Sequence, residues 1–201
     1  MKIMNCLSAA ILFMVMLGSP AGKAAASEII WSDGFGSKDF SAWSSASGQW
    51  KTTESIAAAH GGKVGGDIFG PSAAGGDSLT VFVPSLGKQD LALSYWWKIR
   101  EAIESNKFVK LEYTPNAGTD WFELYSHNGV AGDWTQQVSL ELPKDADNNP
   151  NLGLRLRSTL VNGISSDRMH FDDFVLTGVP EPATASFFVL AFLAILRHRR
   201  K

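Results

Sequence analysis

The chain has 201 residues, of which 18 are Lys or Arg and 20 are Asp or Glu, and its formal net charge is −2 at pH 7. Residues 27–182 alone hold 20 acidic and 12 basic side chains, a net charge of −8. This charge argues against nucleic acid as a partner and suits a neutral glycan, cations or a cationic surface better. The single cysteine, Cys6, excludes a disulfide framework and cysteine-ligated metal from the rest of the chain.

The N-terminus has the three parts of a secretory signal peptide. Lys2 supplies a positive charge, residues 11–17 form an apolar core, and the alanines at 24–26 give the small-residue pattern of a cleavage site before Ser27. We therefore predict that residues 1–26 are a signal peptide and that the protein is exported.

Residues 27–178 are predicted to form one all-β domain. Over residues 90–100, apolar side chains alternate with a face that holds Trp96, Lys98 and Arg100, which predicts a half-buried strand. Further strands are predicted at 29–35, 79–83, 108–113, 121–125, 134–140, 152–157 and 169–176. The seven glycines of residues 60–76 predict a flexible loop. The expected fold is a two-sheet antiparallel jelly-roll sandwich, with an up-and-down barrel as the alternative.

Aromatic and acidic residues recur along this domain in a characteristic order. They are Asp33-Gly34-Phe35, Trp43, Trp50, Asp120-Trp121, Trp134, Leu154-Arg155-Leu156-Arg157 and Phe171-Asp172-Asp173-Phe174-Val175-Leu176. In that order the chain resembles the MAM-like and concanavalin-like jelly-roll domains of secreted and cell-surface proteins. The resemblance implies the fold rather than an activity, and the disulfides of animal MAM domains are absent.

The sequence lacks a convincing catalytic constellation. A glycosidase needs two carboxylates that face one cleft, whereas Glu101 and Glu104 have irregular spacing in a predicted loop and Asp172 and Asp173 alternate across a predicted strand. The close alternating glutamates and aspartate of concanavalin-like hydrolases are missing. We therefore predict that the protein is not an enzyme.

The histidines and the one glycine-flanked serine offer no catalytic group either. His60, His127 and His170 are far apart in the sequence and are predicted to be surface or turn residues. Ser72 lacks both the spacing of a nucleophile elbow and an obvious histidine partner.

Asp173 is a candidate structural residue. If Phe171 and Val175 face the core, Asp173 faces it too, and a buried carboxylate must be neutralised by a cation, an arginine or backbone donors. The jelly-roll resemblance implies a structural Ca²⁺ site that Asp33 and Asp173 share, while hydrogen bonds that pin the two termini together are the alternative. No other cofactor is expected.

Trp96 is the candidate ligand-binding residue. It shares a predicted strand face with Lys98 and Arg100, and Phe108 on the polar face of the next predicted strand would extend this face. Sugar rings stack on exposed indoles. The alternative is that a loop or the second sheet covers Trp96.

The C-terminus combines three elements. Pro180-Glu181-Pro182 precedes an apolar segment at 183–196, and residues 197–201 are basic, with Arg197, Arg199 and Arg200. Fourteen helical residues span about 21 Å, less than the ~30 Å hydrocarbon core, and the basic end is expected to stay cytoplasmic.

This order resembles the PEP-CTERM sorting signal, and residues 179–201 are identified as such a tail. The resemblance implies that an exosortase-type enzyme recognises Pro180-Glu181-Pro182, removes the tail and passes the protein from the inner membrane to the cell surface or extracellular matrix. A permanent C-terminal anchor helix is the alternative.

These observations favour an exported, non-catalytic protein that binds extracellular polysaccharide. The alternatives are a secreted glycoside hydrolase or lyase and a purely structural or adhesive surface protein.

Overall fold

The computed structural model describes residues 25–69, 76–160 and 168–181. These residues form eleven strands and one turn of 3-10 helix at Lys144–Ala146. The strands are β1 Glu28–Asp33, β2 Ser45–Ala46, β3 Trp50–Glu54, β4 Val64–Phe69, β5 Ser78–Phe82, β6 Lys88–Glu101, β7 Val109–Thr114, β8 Phe122–His127, β9 Thr135–Glu141, β10 Gly153–Ser158 and β11 Arg168–Pro180.

The strands form two antiparallel sheets rather than a closed barrel. The first sheet has the order β3-β4-β11-β6-β9, and β1 pairs with the C-terminal half of β11 on the same side as β4. The second sheet has the order β2-β5-β10-β7-β8. The predicted all-β sandwich is confirmed, and each of the eight predicted strands lies within or beside an observed one.

The core lies between the two sheets and is built by the predicted alternation. In β6, Leu91, Leu93, Tyr95 and Ile99 are buried, while Trp96 on the opposite face is only half-buried. In β10 the leucines at 154 and 156 are buried and the arginines between and after them are not. Apolar side chains at every second position therefore hold each sheet against the other.

The glycine-rich run at 60–76 was predicted to be a loop, and this prediction is wrong for its middle part. Residues 64–69 form β4, which pairs with β3 and β11. A Cβ on Gly66 would lie 2.7 Å from the ring of Phe35, so the missing side chain makes room for a buried aromatic ring. The glycines here permit close packing of a strand.

The structure also corrects the prediction that Asp173 shares the core-facing side with Phe171 and Val175. The register between β11 and β6 shifts between Asp172 and Val175, and Asp173 has a φ of 50°. The extra residue of this bulge brings both Phe171 and Phe174 into the core, whereas Val175 is only half-buried.

The predicted signal peptide lies outside the described residues, apart from Ala25 and Ala26, as does the apolar segment at 183–196. The described residues contain no helix long and apolar enough to cross a membrane. β11 continues to Pro180, which pairs with Lys88, and the Glu181 amide donates a hydrogen bond to Gly87. The strand thus ends inside the predicted sorting motif.

Candidate functional site

The outer face of the second sheet carries a row of charged residues with aromatic rings at both ends. We call it the arginine face. Its residues are Phe82, Phe108, Lys110, Glu112, Trp121, Glu123, Arg155 and Arg157.

Glu112 is the centre of the charged row. It lies between Arg155, whose Nη2 is 2.7 Å from Oε2, and Arg157, whose Nη2 is 3.0 Å from Oε1, and only 6% of the Glu112 side chain is exposed. Burial raises the pKa of Glu112, but the hydrogen bonds and charges of the two arginines outweigh burial and lower its pKa. Glu112 is therefore ionised at neutral pH and fixes both guanidinium groups.

Trp121 lies beyond Arg155 at one end of this row. The Arg155 guanidinium carbon is 4.0 Å from the centre of the indole, which is a cation–π contact. The ring of Phe82 is 6.4 Å from Trp121 and is 43% exposed. A Cβ on Gly153 would lie 2.8 Å from the Phe82 ring, so the missing side chain at Gly153 makes room for that ring.

Phe108 lies at the other end of the row. The Nζ of Lys110 is 5.6 Å from the centre of its ring and also pairs with Glu123 at 2.6 Å. Tyr113 of β7 pairs with Phe122, so Trp121 lies opposite the residue that follows Tyr113. Phe108 lies about six residues before that position, and the two aromatic ends are therefore roughly 20 Å apart along the strand.

A second group of residues lies on the outer face of the first sheet. Residues 55–63, which we call the histidine loop, cross this face and place His60 directly on Trp96. The two rings are 3.6 Å apart with an angle of 12° between them, and Trp134 meets the imidazole edge-on at 5.7 Å. His60 Nδ1 is 2.9 Å from Oδ2 of Asp173.

Asp172 holds the backbone of the histidine loop. Its carboxylate is buried and accepts hydrogen bonds from the amides of His60 and Asp173, each at 2.8 Å. Burial raises the pKa of Asp172 to about 6, although the backbone donors favour its ionised form.

His170 and Asp67 are buried beside this loop. Asp67 accepts hydrogen bonds from Arg168 Nε at 2.9 Å and from Thr53 Oγ1 at 2.9 Å. His170 Nδ1 lies 3.6 Å from Asp67, and neither ring nitrogen of His170 has a hydrogen-bond partner among the described residues. Burial lowers the pKa of His170 to about 4.

The predicted ligand-binding residues do not form one surface. Trp96, Lys98 and Arg100 share the outer face of the first sheet, as predicted, but His60 covers the indole of Trp96. Phe108 belongs to the second sheet, so it does not extend the Trp96 surface. The two strands are neighbours in sequence but not in space.

Asp33 and Asp173, the predicted calcium ligands, have separate partners. Asp33 accepts hydrogen bonds from the Phe35 amide at 2.8 Å and from Trp43 Nε1 at 2.7 Å, whereas Asp173 contacts His60. A Cβ on Gly34 would lie 3.1 Å from Asp173, so the chain next to Asp33 passes close to that carboxylate. The described residues hold no group of three or more His, Cys, Asp or Glu placed to bind a metal ion. A calcium ion held by this pair stays a prediction.

The histidines were predicted to be surface or turn residues, which is wrong for His127 and His170. Both are buried, and His127 packs among aromatic rings of the core. His60 is the only one of the three with a partly exposed side chain. The sequence around His127 and His170 gave no sign that they are buried, because the burial of a histidine depends on strands that are distant in the sequence.

No protein-family model and no curated protein matches the chain. Many solved structures resemble it, and the three described here each have low sequence identity to it. TmCBM61 in complex with β-1,4-galactotriose is 16% identical, with a TM-score of 0.50 over 72% of this chain and 93% of that chain.

The CBM22-1 xylan-binding domain of Xyn10C from Paenibacillus barcinonensis is 15% identical, with a TM-score of 0.52 over 79% of this chain and 99% of that chain. The K2 cleaved adhesin domain of Lys-gingipain is 14% identical, with a TM-score of 0.54 over 76% and 99%. The chain shares the jelly-roll fold of carbohydrate-binding modules. At this identity the likeness shows the fold alone.

The sequence contained part of the signal for the arginine face. The alternation over 152–157 already placed Arg155 and Arg157 opposite the core leucines. Their neighbours Glu112 and Trp121 could not be assigned, because β10 pairs with β7 across about 40 residues of intervening chain.

Proposed function

We propose that this protein is an exported, non-catalytic surface or matrix protein that binds polysaccharide on the arginine face. The observation that supports this most directly is the contact between Trp121 and Arg155. The guanidinium holds the indole in place beside the exposed ring of Phe82, and a fixed aromatic surface binds the apolar side of a sugar ring at low entropic cost.

The charged row supplies the polar half of such a site. Arg155 and Arg157 have N–H donors beyond those bonded to Glu112, which holds both arginines in fixed positions. Glu123, whose side chain is 45% exposed, supplies a carboxylate acceptor. Hydroxyl groups of a glycan chain along the face would find donors and acceptors between its two aromatic ends. The solved structures of similar fold include a module with bound galactotriose and a xylan-binding domain, which supports this ligand class.

The carboxylates of this face do not favour a glycosidase. Glu112 and Glu123 are cross-strand partners, but the acid of a glycosidase needs a raised pKa, and the pKa of Glu112 is lowered. We therefore place both glutamates in binding rather than in catalysis.

The proposed localisation of the protein rests on its sequence. We propose export through the signal peptide at 1–26, inner-membrane anchoring by 183–196 and sorting to the surface or matrix by an exosortase-type enzyme. Replacing Pro180, Glu181 and Pro182 together by alanine should leave the protein in the membrane fraction of its host. Unchanged release of this variant would contradict the sorting proposal.

Binding is tested with the purified full chain in detergent, on xylan and β-1,4-galactan, by calorimetry and affinity gels, with and without Ca²⁺. Trp121→Ala should weaken binding about tenfold or more, because it removes the stacking surface. Val138→Ala is the control: this side chain is 60% exposed on β9 of the first sheet and belongs to neither aromatic end of the arginine face, so the variant should bind like the wild type. Equal affinity of wild type and Trp121→Ala would overturn this site, and binding to neither glycan by the wild type would favour a structural or adhesive role.

A further inference from the structure

We propose a second sugar-ring site on the outer face of the first sheet, in which the imidazole of His60 occupies the position of the ligand. The ligand class rests on the proposed polysaccharide binding. The site itself is built from Trp96, Trp134 and Asp173, none of which belongs to the arginine face.

The geometry around His60 is that of a bound ring. The imidazole lies parallel to the Trp96 indole at 3.6 Å, Trp134 closes one edge at 5.7 Å, and the ring nitrogen Nδ1 is 2.9 Å from the Asp173 carboxylate. A pyranose with equatorial hydroxyls has the same arrangement of groups. Its C–H face would lie on the indole, and a hydroxyl near the plane of the ring would donate to Asp173.

The side chain of His60 can leave this position without movement of the loop. Asp172 holds the His60 amide, Ala58 and Ala59 are buried, and the Ala58 carbonyl occupies the space where Gly65 lacks a side chain. The imidazole is held by its ring contacts and one hydrogen bond, and 29% of the side chain is exposed. Rotation about its own side-chain bonds therefore exposes the indole while the backbone stays in place.

Lys98 supplies a further polar group next to this position. It follows Trp96 by two residues on the same face of β6, about 7 Å along the strand. Within the described part of the chain Lys98 has no ion-pair partner, and it is half-buried rather than freely solvated. A sugar stacked on Trp96 would therefore have a lysine donor on the same face of β6.

His60 thus competes with the ligand, and the apparent affinity of the site is reduced by the fraction of molecules in which the imidazole is in place. Removing the imidazole should raise the affinity. Replacing it by another flat ring should not.

The experiment uses the full chain with xylohexaose and β-1,4-galactotriose as probes, in a Trp121→Ala background that removes the arginine-face site. The double variant Trp121→Ala/His60→Ala should bind one of these probes about tenfold more tightly than Trp121→Ala alone. Trp121→Ala/His60→Phe keeps a ring on the indole and should show no gain. Adding Trp96→Ala to the His60→Ala double variant should remove the gain.

A second readout does not depend on the His60 and Trp96 variants folding well. In the Trp121→Ala protein, saturating probe should move the NMR signals of the His60 ring out of the shielding region of the Trp96 indole. No gain in the His60→Ala double variant together with unchanged His60 signals would overturn the second site, whatever the wild type binds. Loss of binding in Trp121→Ala tests the arginine face separately, so the two proposals can fail independently.

Discussion

Tyr95 and His127 form a buried hydrogen bond that joins the two sheets across the core. The Tyr95 hydroxyl lies 2.9 Å from His127 Nε2, and His127 Nδ1 lies 2.8 Å from the carbonyl of Val109. Because a carbonyl only accepts, Nδ1 carries the hydrogen and Nε2 accepts from the tyrosine. Burial lowers the pKa of His127 to about 4, so the imidazole is neutral at pH 7 and its protonation would place a charge in the core without a carboxylate partner among the described residues.

The first prediction is that this pair makes the fold sensitive to acid. Burial lowers the pKa of His127 to about 4, so between pH 6.5 and 4 the unfolded chain binds a proton that the folded chain does not. The stabilisation is complete above pH 6.5 and is lost as the pH falls toward 4, by about 3 kcal/mol in total. Urea unfolding of the wild type and of His127→Phe between pH 6.5 and 4 measures this loss of stability. Equal pH dependence of the two proteins would contradict a lowered pKa for His127.

The second prediction concerns Asp172, whose effect has the opposite sign. Burial raises its pKa to about 6, so between pH 6 and 4 the folded chain binds a proton that the unfolded chain does not. Asp172 therefore offsets part of the loss caused by His127 and His170. Asp172→Asn should make the free energy of unfolding depend more steeply on pH, by about 1.4 kcal/mol per pH unit in this window. An unchanged slope would mean that Asp172 titrates near its ordinary value.

The sequence predicted the positions of the strands well but not which strands pair with one another, and β6 shows why. A period of two over eleven residues reports which side of a strand is buried, because each side chain meets either the core or solvent. The sheet to which a strand belongs depends on pairing across long separations, and so Phe108 was placed beside Trp96 although β6 and β7 lie in different sheets.

The candidate site on the first sheet had a further obstacle. The bulge at Asp172 and Asp173 shifts the alternation by one residue, and the residues themselves carry no sign of the shift. The sequence did predict that Trp96 shares its face with Lys98 and Arg100. That His60 covers it follows only from the path of the histidine loop.

The third prediction tests the central carboxylate of the arginine face. Glu112→Gln removes the charge that holds Arg155 and Arg157, and it should lower the free energy of unfolding by about 2 kcal/mol. This figure is below that of a fully buried pair, because both arginines are partly exposed. Glu123→Gln is the control: that residue is 45% exposed and pairs with one lysine, so its loss should cost less than about 1 kcal/mol. Equal effects of the two changes in urea unfolding would argue that Glu112 is not the organising residue.

The last prediction concerns the fit of the histidine loop against the first sheet. A Cβ on Gly65 would lie 1.8 Å from the carbonyl oxygen of Ala58, a distance that the packed backbone cannot accept. Gly65→Ala should therefore push the loop away from the sheet, lower the free energy of unfolding by about 2 kcal/mol or more, and release His60 from Trp96. Gly62→Ala is the matched change, three residues earlier in the histidine loop, where a Cβ would meet nothing within 4 Å, and its effect should stay within about 0.5 kcal/mol. Thermal unfolding gives the stabilities, and the His60 ring signals in NMR report the stacking. If Gly65→Ala left both unchanged, the loop would not be packed against β4 as the structure has it.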